Sequence, residues 1–177
     1  TLANIETSKL VDAEWVGDLV MDAEGIVTWV NNSKNRPIYD FPLKADANTE
    51  GSVIVYEHPK QDDDHIIPWG RYIGGIDPYD HDKSKSGSLG SIMILDNLTN
   101  RIVAEYSGRP ETANDFYETC RRLLLYYNAI ALCEHDEMSF IDYMISKNKG
   151  HYLADTPEWL KEFIPILHLS HTHRPSL

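Results

Sequence analysis

The stretch Tyr72–Asp77, with the sequence YIGGID, decides the fold of this chain. Its near-continuous apolar character predicts a buried strand that lies centrally in a mixed sheet, with the run at residues 89–96 on one side and the run at residues 129–133 on the other. Asp77 ends this strand, and Glu134 directly follows a second apolar run at residues 129–133. Two carboxylates at the ends of two buried strands are therefore the first candidates for a functional site.

The elements between these two carboxylates can be read from their periodicity. Residues 89–96 and 101–106 predict two strands, and the turn-forming tetrad NLTN at residues 97–100 indicates that they pair as an antiparallel hairpin. Residues 112–128 predict the strongest helix, because apolar side chains recur there every three or four positions. This helix leads directly into residues 129–133, so a strand-helix-strand crossover places that run parallel to the first strand.

Thr112 and Asp115 form a capping-box pattern at the start of the long helix. The segments outside residues 72–134 give weaker signals. Residues 1–70 predict a β-rich extension or a linker region, within which residues 61–65 (QDDDH) predict an exposed loop. The other predicted elements are a helix near residues 7–20, strands at 25–31, 38–43 and 52–56, a helix at about 138–147, a short strand at 151–154 and a short helix opened by residues 155–157.

Length and composition indicate one globular domain. The chain has 177 residues, of which 42% are hydrophobic, enough for one substantial core. Because no run approaches the ~20 apolar residues of a membrane helix and the acidic first residues do not resemble a secretory signal, we expect a soluble intracellular protein without membrane contact. Cys120 and Cys133 each lie inside an apolar run, which is typical of reduced, buried thiols.

The net charge of -12 argues against simple electrostatic binding of nucleic acid. Most of that excess, -8, lies in residues 1–70, whereas residues 71–177 carry -4. The acidic excess therefore lies mainly outside the segment that contains both candidate carboxylates. We expect weak DNA affinity for the isolated chain.

Asp77 and Glu134 suit the chemistry of a divalent-metal site. Mg²⁺ and Mn²⁺ prefer carboxylate oxygen, and two such ions roughly 3.5 to 4 Å apart hydrolyse phosphodiesters by polarising the phosphoryl oxygens and generating hydroxide. Asp77, projecting from a rigid strand end, would bridge the ions, and Glu134 would hold one of them. The structural alternative is that Asp77 begins a turn before Pro78 and that Glu134 starts a capped helix.

The loop after the first strand carries further polar residues. Asp80, His81 and Asp82 are candidates for an outer contact to the metal, with a solvated loop as the alternative. Lys83 and Lys85 are candidates for contacts to phosphate, with ordinary solvated lysines as the alternative.

Four stretches carry a family resemblance: residues 74–80 (GGIDPYD), 101–110 (RIVAEYSGRP), 125–129 (LYYNA) and 133–134 (CE). Together they resemble the nuclease domain of the large terminase subunit of tailed bacteriophages. The resemblance extends over residues 71 to about 157, with a looser match at residues 52–59 (SVIVYEHP).

The resemblance implies an α/β fold of the ribonuclease H type, a mixed sheet with flanking helices, here with an N-terminal β-rich extension. The whole chain, 1–177, would then be a single nuclease domain with residues 71–177 as its core. The implied activity is metal-dependent cutting of concatemeric viral DNA during genome packaging. In that family pattern Asp77 is the first-strand metal ligand and Glu134 is the second acid, with Mg²⁺ or Mn²⁺, two ions, as the cofactor.

A third acidic or histidine ligand lies on a late helix in that family. Here Asp155, Glu158 and the His-rich end at residues 168–173 are the candidates, and none of them matches the family motif. The alternative is that the segment with the third ligand lies outside this chain.

The implied partners are double-stranded DNA, the terminase ATPase domain, the portal and the small terminase subunit. No Gly-rich phosphate-binding loop with Lys-Ser or Lys-Thr occurs, so we expect the ATPase domain to lie outside this chain. The implied location is the cytoplasm of an infected or lysogenic bacterial host. Two alternatives stay open: another ribonuclease-H-like nuclease of the resolvase or transposase type, and a non-catalytic docking module of a packaging motor.

Overall fold

The computed structural model describes residues 15–31, 35–38, 49–79, 88–133 and 139–154. Within these ranges the chain forms seven strands, two α-helices and one short 3-10 helix. The strands are β1 (Trp15–Met21), β2 (Val27–Asn31), β3 (Val53–Val55), β4 (Tyr72–Asp77), β5 (Gly90–Asp96), β6 (Arg101–Gly108) and β7 (Ile130–Cys133). The helices are α1 (Ala113–Tyr127) and α2 (Ser139–Ser146), and the 3-10 helix is Gly150–Tyr152.

All seven strands belong to one sheet in the order β2-β1-β3-β6-β5-β4-β7. β4 pairs parallel with β7, whereas β5 and β6 form the predicted antiparallel hairpin. The prediction of an α/β fold with a mixed sheet is therefore confirmed. β3 pairs with β6, so the N-terminal strands extend the same sheet that contains β4.

β4 has the two neighbours that the sequence predicts, β5 on one side and β7 on the other. Its predicted central position is wrong, because β4 is second from the β7 end of the sheet. The cause is that the three N-terminal strands all add to the opposite end, beyond β6. Beyond β7 the described chain adds a single parallel bridge, from Leu153 to Ala131.

α1 covers one face of the sheet. It begins with the predicted capping box: the Thr112 hydroxyl accepts the backbone N–H of Asp115, and the Asp115 carboxylate accepts the backbone N–H of Thr112. Its apolar stripe packs so closely on β4 that a Cβ built on Gly74 would lie 2.8 Å from Leu124 Cδ2. α2 packs on α1, where the Phe140 and Tyr117 rings lie 5.6 Å apart. The principal core thus lies between the sheet and α1.

Successive residues of a strand point to opposite faces of the sheet, so the neighbours of the core residues lie on the face away from α1. Gly75 is the register partner of both Met93 and Leu132, and these two apolar side chains are 47% and 54% exposed. Ile54, on the neighbouring part of the same face, is buried.

The predicted helix at residues 7–20 is wrong where the structure describes it, because residues 15–21 form β1. Gly17 and Leu19 are buried while their neighbours are not, an alternation that fits a strand and that a helix of this sequence would not produce. The turn that follows reinforces the strand, since Asp22 Oδ1 accepts the Ile26 N–H at 2.8 Å and Gly25 adopts a positive φ of 84°. Residues 7–14 lie outside the described ranges.

The other minor predictions have mixed outcomes. Residues 27–31 and 53–55 are strands, α2 matches the predicted second helix, and residues 61–65 form an exposed loop. The predicted strand at 151–154 is wrong: Asn148, with a φ of 55°, ends the α2 region and the chain turns through the 3-10 helix before its single bridge. The predicted strand at 38–43, apart from Ile38, and the helix opened by residues 155–157 lie outside the described ranges.

No helix in the described part of the chain has the length and apolar character needed to cross a bilayer.

Candidate metal site at the end of β4

Asp77 is the last residue of β4 and is exposed. Its position is set by the antiparallel register with β5, in which it faces Ser91. The alternation along β4 buries Ile76 toward the core and turns Asp77 outward. An exposed carboxylate on a rigid strand end is thus present at the place that the sequence predicts.

β7 ends beside the same point. The parallel register runs from Ile73 with Ile130 to Ile76 with Cys133, the last described residue of β7. Asp77 follows Ile76 and Glu134 follows Cys133 in the sequence. Glu134 lies outside the described residues, so the distance between the two carboxylates stays a prediction.

The turn after Asp77 is held by aromatic packing. Tyr79 is 5% exposed, and its ring lies 5.5 Å from that of Phe116, which is fully buried on α1. Phe116 in turn lies against Gly90, where a Cβ would be 2.5 Å from a ring carbon. The backbone two residues beyond Asp77 is therefore fixed to both α1 and β5.

Arg109, which directly follows β6, contacts both Tyr79 and Ser88. Its guanidinium carbon lies 4.6 Å from the centroid of the Tyr79 ring, a cation–π contact. Its Nη1 donates a hydrogen bond of 2.7 Å to the Ser88 carbonyl oxygen. The sequence patterns do not assign a role to Arg109 or Tyr79. The signal that points to Arg109 is the hairpin itself, which returns the chain after β6 to the sheet edge at which β4 ends.

A polar cleft with a volume of about 430 Å³ opens beside β1 and the start of α1. Four acidic residues line it: Asp18, Glu50, Glu111 and Asp115. Glu50 accepts a hydrogen bond from Asn35 at 3.2 Å, and Asp115 caps α1. This cleft is therefore lined by four carboxylates, together with the cationic side chain of Arg122.

An electrostatic network around Glu118 joins the two helices. Burial would raise the pKa of Glu118, but hydrogen bonds from Arg121, Tyr143 and Arg122 outweigh it and lower that pKa to about 2. The Tyr143 hydroxyl donates to Glu118 Oε2 at 2.7 Å, which ties α2 to α1. This network stabilises the fold and contains no group aimed at the end of β4.

Cys120 is fully buried, and burial raises the pKa of its thiol well above the usual value. Cys133 is half-buried, and both cysteines are free thiols. The prediction of reduced thiols is confirmed, and that of full burial holds for Cys120 only.

Asp77 supplies the hard oxygen donor that Mg²⁺ and Mn²⁺ prefer, on a strand end open to solvent, so its chemistry fits such an ion. Among the residues that the structure describes, no three His, Cys, Asp or Glu side chains are grouped so as to hold a metal ion. The further donors suggested by the sequence, Glu134, the acidic loop at residues 80–82 and the candidates beyond residue 154, all lie outside the described ranges, as do Lys83 and Lys85.

No protein-family model matches the chain, and no curated protein matches it.

Proposed function

We propose that this chain is the divalent-metal-dependent endonuclease domain of a phage terminase large subunit, with a fold of the ribonuclease H type. The observation that carries the proposal is the parallel register of Ile76 with Cys133. It brings the ends of two adjacent strands to one edge of the sheet. In the sequence, Ile76 is followed by Asp77, the last residue of β4, and Cys133 is followed by Glu134. In open α/β sheets, ligands bind outside the carboxyl ends of the strands.

The strand arrangement supports the same proposal. β4 lies between an antiparallel hairpin partner, β5, and a parallel strand, β7, that is reached through α1. This element order agrees with the ribonuclease-H-type fold that the resemblance to terminase nucleases implies. The stretch YIGGID forms β4 as a continuous strand, with its carboxylate exposed.

Asp77 and Glu134 would hold Mg²⁺ or Mn²⁺, with two ions in the full site. When bound, such ions polarise the phosphoryl oxygens and acidify water, which lowers the barrier to phosphodiester hydrolysis. The part of this task that belongs to the chain is to hold the Asp77 carboxylate at a fixed place, and the packing of Tyr79 beneath the turn provides that rigidity.

The proposed substrate is concatemeric double-stranded viral DNA, cut during genome packaging in the cytoplasm of an infected or lysogenic bacterium. The proposed partners are the terminase ATPase domain, the portal and the small terminase subunit. A net charge of -12 opposes tight binding of DNA by the isolated chain. We therefore infer that these partners contribute much of the affinity for DNA.

Nicking of supercoiled plasmid in Mn²⁺ tests the proposal. We expect the wild type to nick the plasmid and a chelator to abolish the reaction. Asp77→Asn and Glu134→Gln should each remove activity, because the amides keep the shape of the side chain and lose its charge. The matched control is Asp63→Asn in the exposed loop, which should nick at the wild-type rate. Activity that survives Asp77→Asn contradicts the proposal.

A further inference from the structure

Arg109 contacts both residues that border the segment 80–87. Its guanidinium lies over the Tyr79 ring, and its Nη1 donates to the Ser88 carbonyl oxygen. Tyr79 follows Asp77 by two residues, and Ser88 precedes β5 by two residues. One side chain from the end of β6 therefore ties the chain that leaves β4 to the chain that enters β5.

The Tyr79 half of this link is rigid. Its ring is buried against the ring of Phe116, which extends from α1 to Gly90 of β5. Only Pro78 separates Tyr79 from Asp77, and proline fixes its own φ near -65°. The orientation of the Tyr79 ring therefore constrains the backbone that carries the Asp77 carboxylate.

We propose that Arg109 is a positioning residue for Asp77: by holding Tyr79 against Ser88, it keeps the turn after β4 in the conformation that presents the carboxylate to a divalent cation. This inference rests on the proposed metal site. Arg109 acts here through Tyr79 and Ser88, without contact to the cation. Side chains that orient a metal ligand typically alter metal affinity by about 10- to 100-fold when removed.

The sign of the effect separates positioning from simple charge. A positive side chain near the cation repels it, so loss of that charge alone should tighten cation binding. Loss of a positioning contact should weaken it, because the carboxylate is no longer held in place. The direction of the change in Mn²⁺ affinity therefore distinguishes the two roles.

The test is direct Mn²⁺ binding, measured by calorimetry and by the electron paramagnetic resonance of free Mn²⁺, on the full chain without DNA. We expect Arg109→Met to weaken binding about tenfold. Arg109→Lys should also weaken binding, because lysine keeps the charge that repels the cation but lacks the planar guanidinium that makes both contacts. The control Arg101→Met, at the exposed start of β6, should match the wild type.

Melting temperatures show whether each variant is folded. If Arg109→Met does not fold, the Mn²⁺ affinity of Arg109→Lys is compared with that of the wild type instead. If the folded Arg109 variants bind Mn²⁺ as tightly as the wild type, or more tightly, the positioning role is wrong and the proposed metal site still stands. Equal weakening in Arg101→Met also overturns it, since the effect would then be unspecific. Failure of the wild type to bind Mn²⁺ overturns the metal site and this inference together.

Discussion

Ile76 of β4 and Cys133 of β7 are register partners in a parallel strand pair. Parallel neighbours have their carboxyl ends at the same edge of a sheet, so both strands end together. Each partner is followed in the sequence by an acidic residue, Asp77 or Glu134. The proposed activity depends on this relationship, and the following predictions test it and the fold that supports it.

Asp77→Asn should reduce Mn²⁺-dependent nicking of plasmid DNA by orders of magnitude, because it removes a negative charge from the proposed cation site. The exposed position of Asp77 means that the change should leave the melting temperature nearly unaltered. Nicking rates and thermal melts on the same preparation check both parts. A large loss of stability would instead assign Asp77 a structural role.

Mn²⁺ should stabilise the folded wild type in proportion to its occupancy. Binding to the folded state alone adds about 2.7 kcal/mol when the metal concentration is 100 times its dissociation constant. Melting temperatures measured across a Mn²⁺ titration should therefore rise for the wild type and much less for Asp77→Asn. Equal increases in both proteins would show that the stabilising metal binds elsewhere.

Gly90→Ala should destabilise the protein by about 1 to 3 kcal/mol, because the added methyl group would meet the Phe116 ring at 2.5 Å. Gly75→Ala is the matched control in the neighbouring strand, where a Cβ meets nothing within 4 Å. It should change the free energy of unfolding by less than about 0.5 kcal/mol. Urea unfolding curves give both values, and similar losses in the two variants would contradict the packing described for Phe116.

Glu118→Gln should lower stability at neutral pH by about 2 kcal/mol, because it removes the charged acceptor shared by Arg121, Arg122 and Tyr143. The folded-state pKa of Glu118 is lowered from 4.5 to about 2. Its contribution is therefore complete above about 4.5 and is lost as pH falls toward about 2.

The difference in unfolding free energy between wild type and Glu118→Gln should accordingly shrink over that acidic range. Asp142→Asn, an exposed acid on α2, serves as the control and should stay within about 0.5 kcal/mol of the wild type. A difference that stays constant down to the lowest pH would contradict the assigned network.

The elements around β4 were predictable because each has a strong local signal. YIGGID is an apolar run that forms a strand buried on its α1 face, NLTN closes a hairpin, and Thr112 with Asp115 caps α1. In these places local propensity and tertiary packing favour the same structure. The exposed Asp77 at the end of β4 follows from that agreement.

The N-terminal strand was missed because its local signal was ambiguous. Trp15–Met21 contains apolar residues whose spacing approximates that of a helix, and only pairing with β2 and β3 makes it a strand. The position of β4 within the sheet was missed for the same reason, since it depends on where those strands add. Arg109 escaped notice because its contacts with Tyr79 and Ser88 join three segments that are separated in sequence.

The most direct measurement is the anomalous difference density of Mn²⁺ in a crystal of this chain soaked with the metal. The account predicts a peak about 2 Å from carboxylate oxygens of both Asp77 and Glu134. The same peak should be absent from crystals of Asp77→Asn. A soaked wild-type crystal in which the Asp77 and Glu134 carboxylates share no peak, or point to different sides of the sheet, would contradict the proposed site.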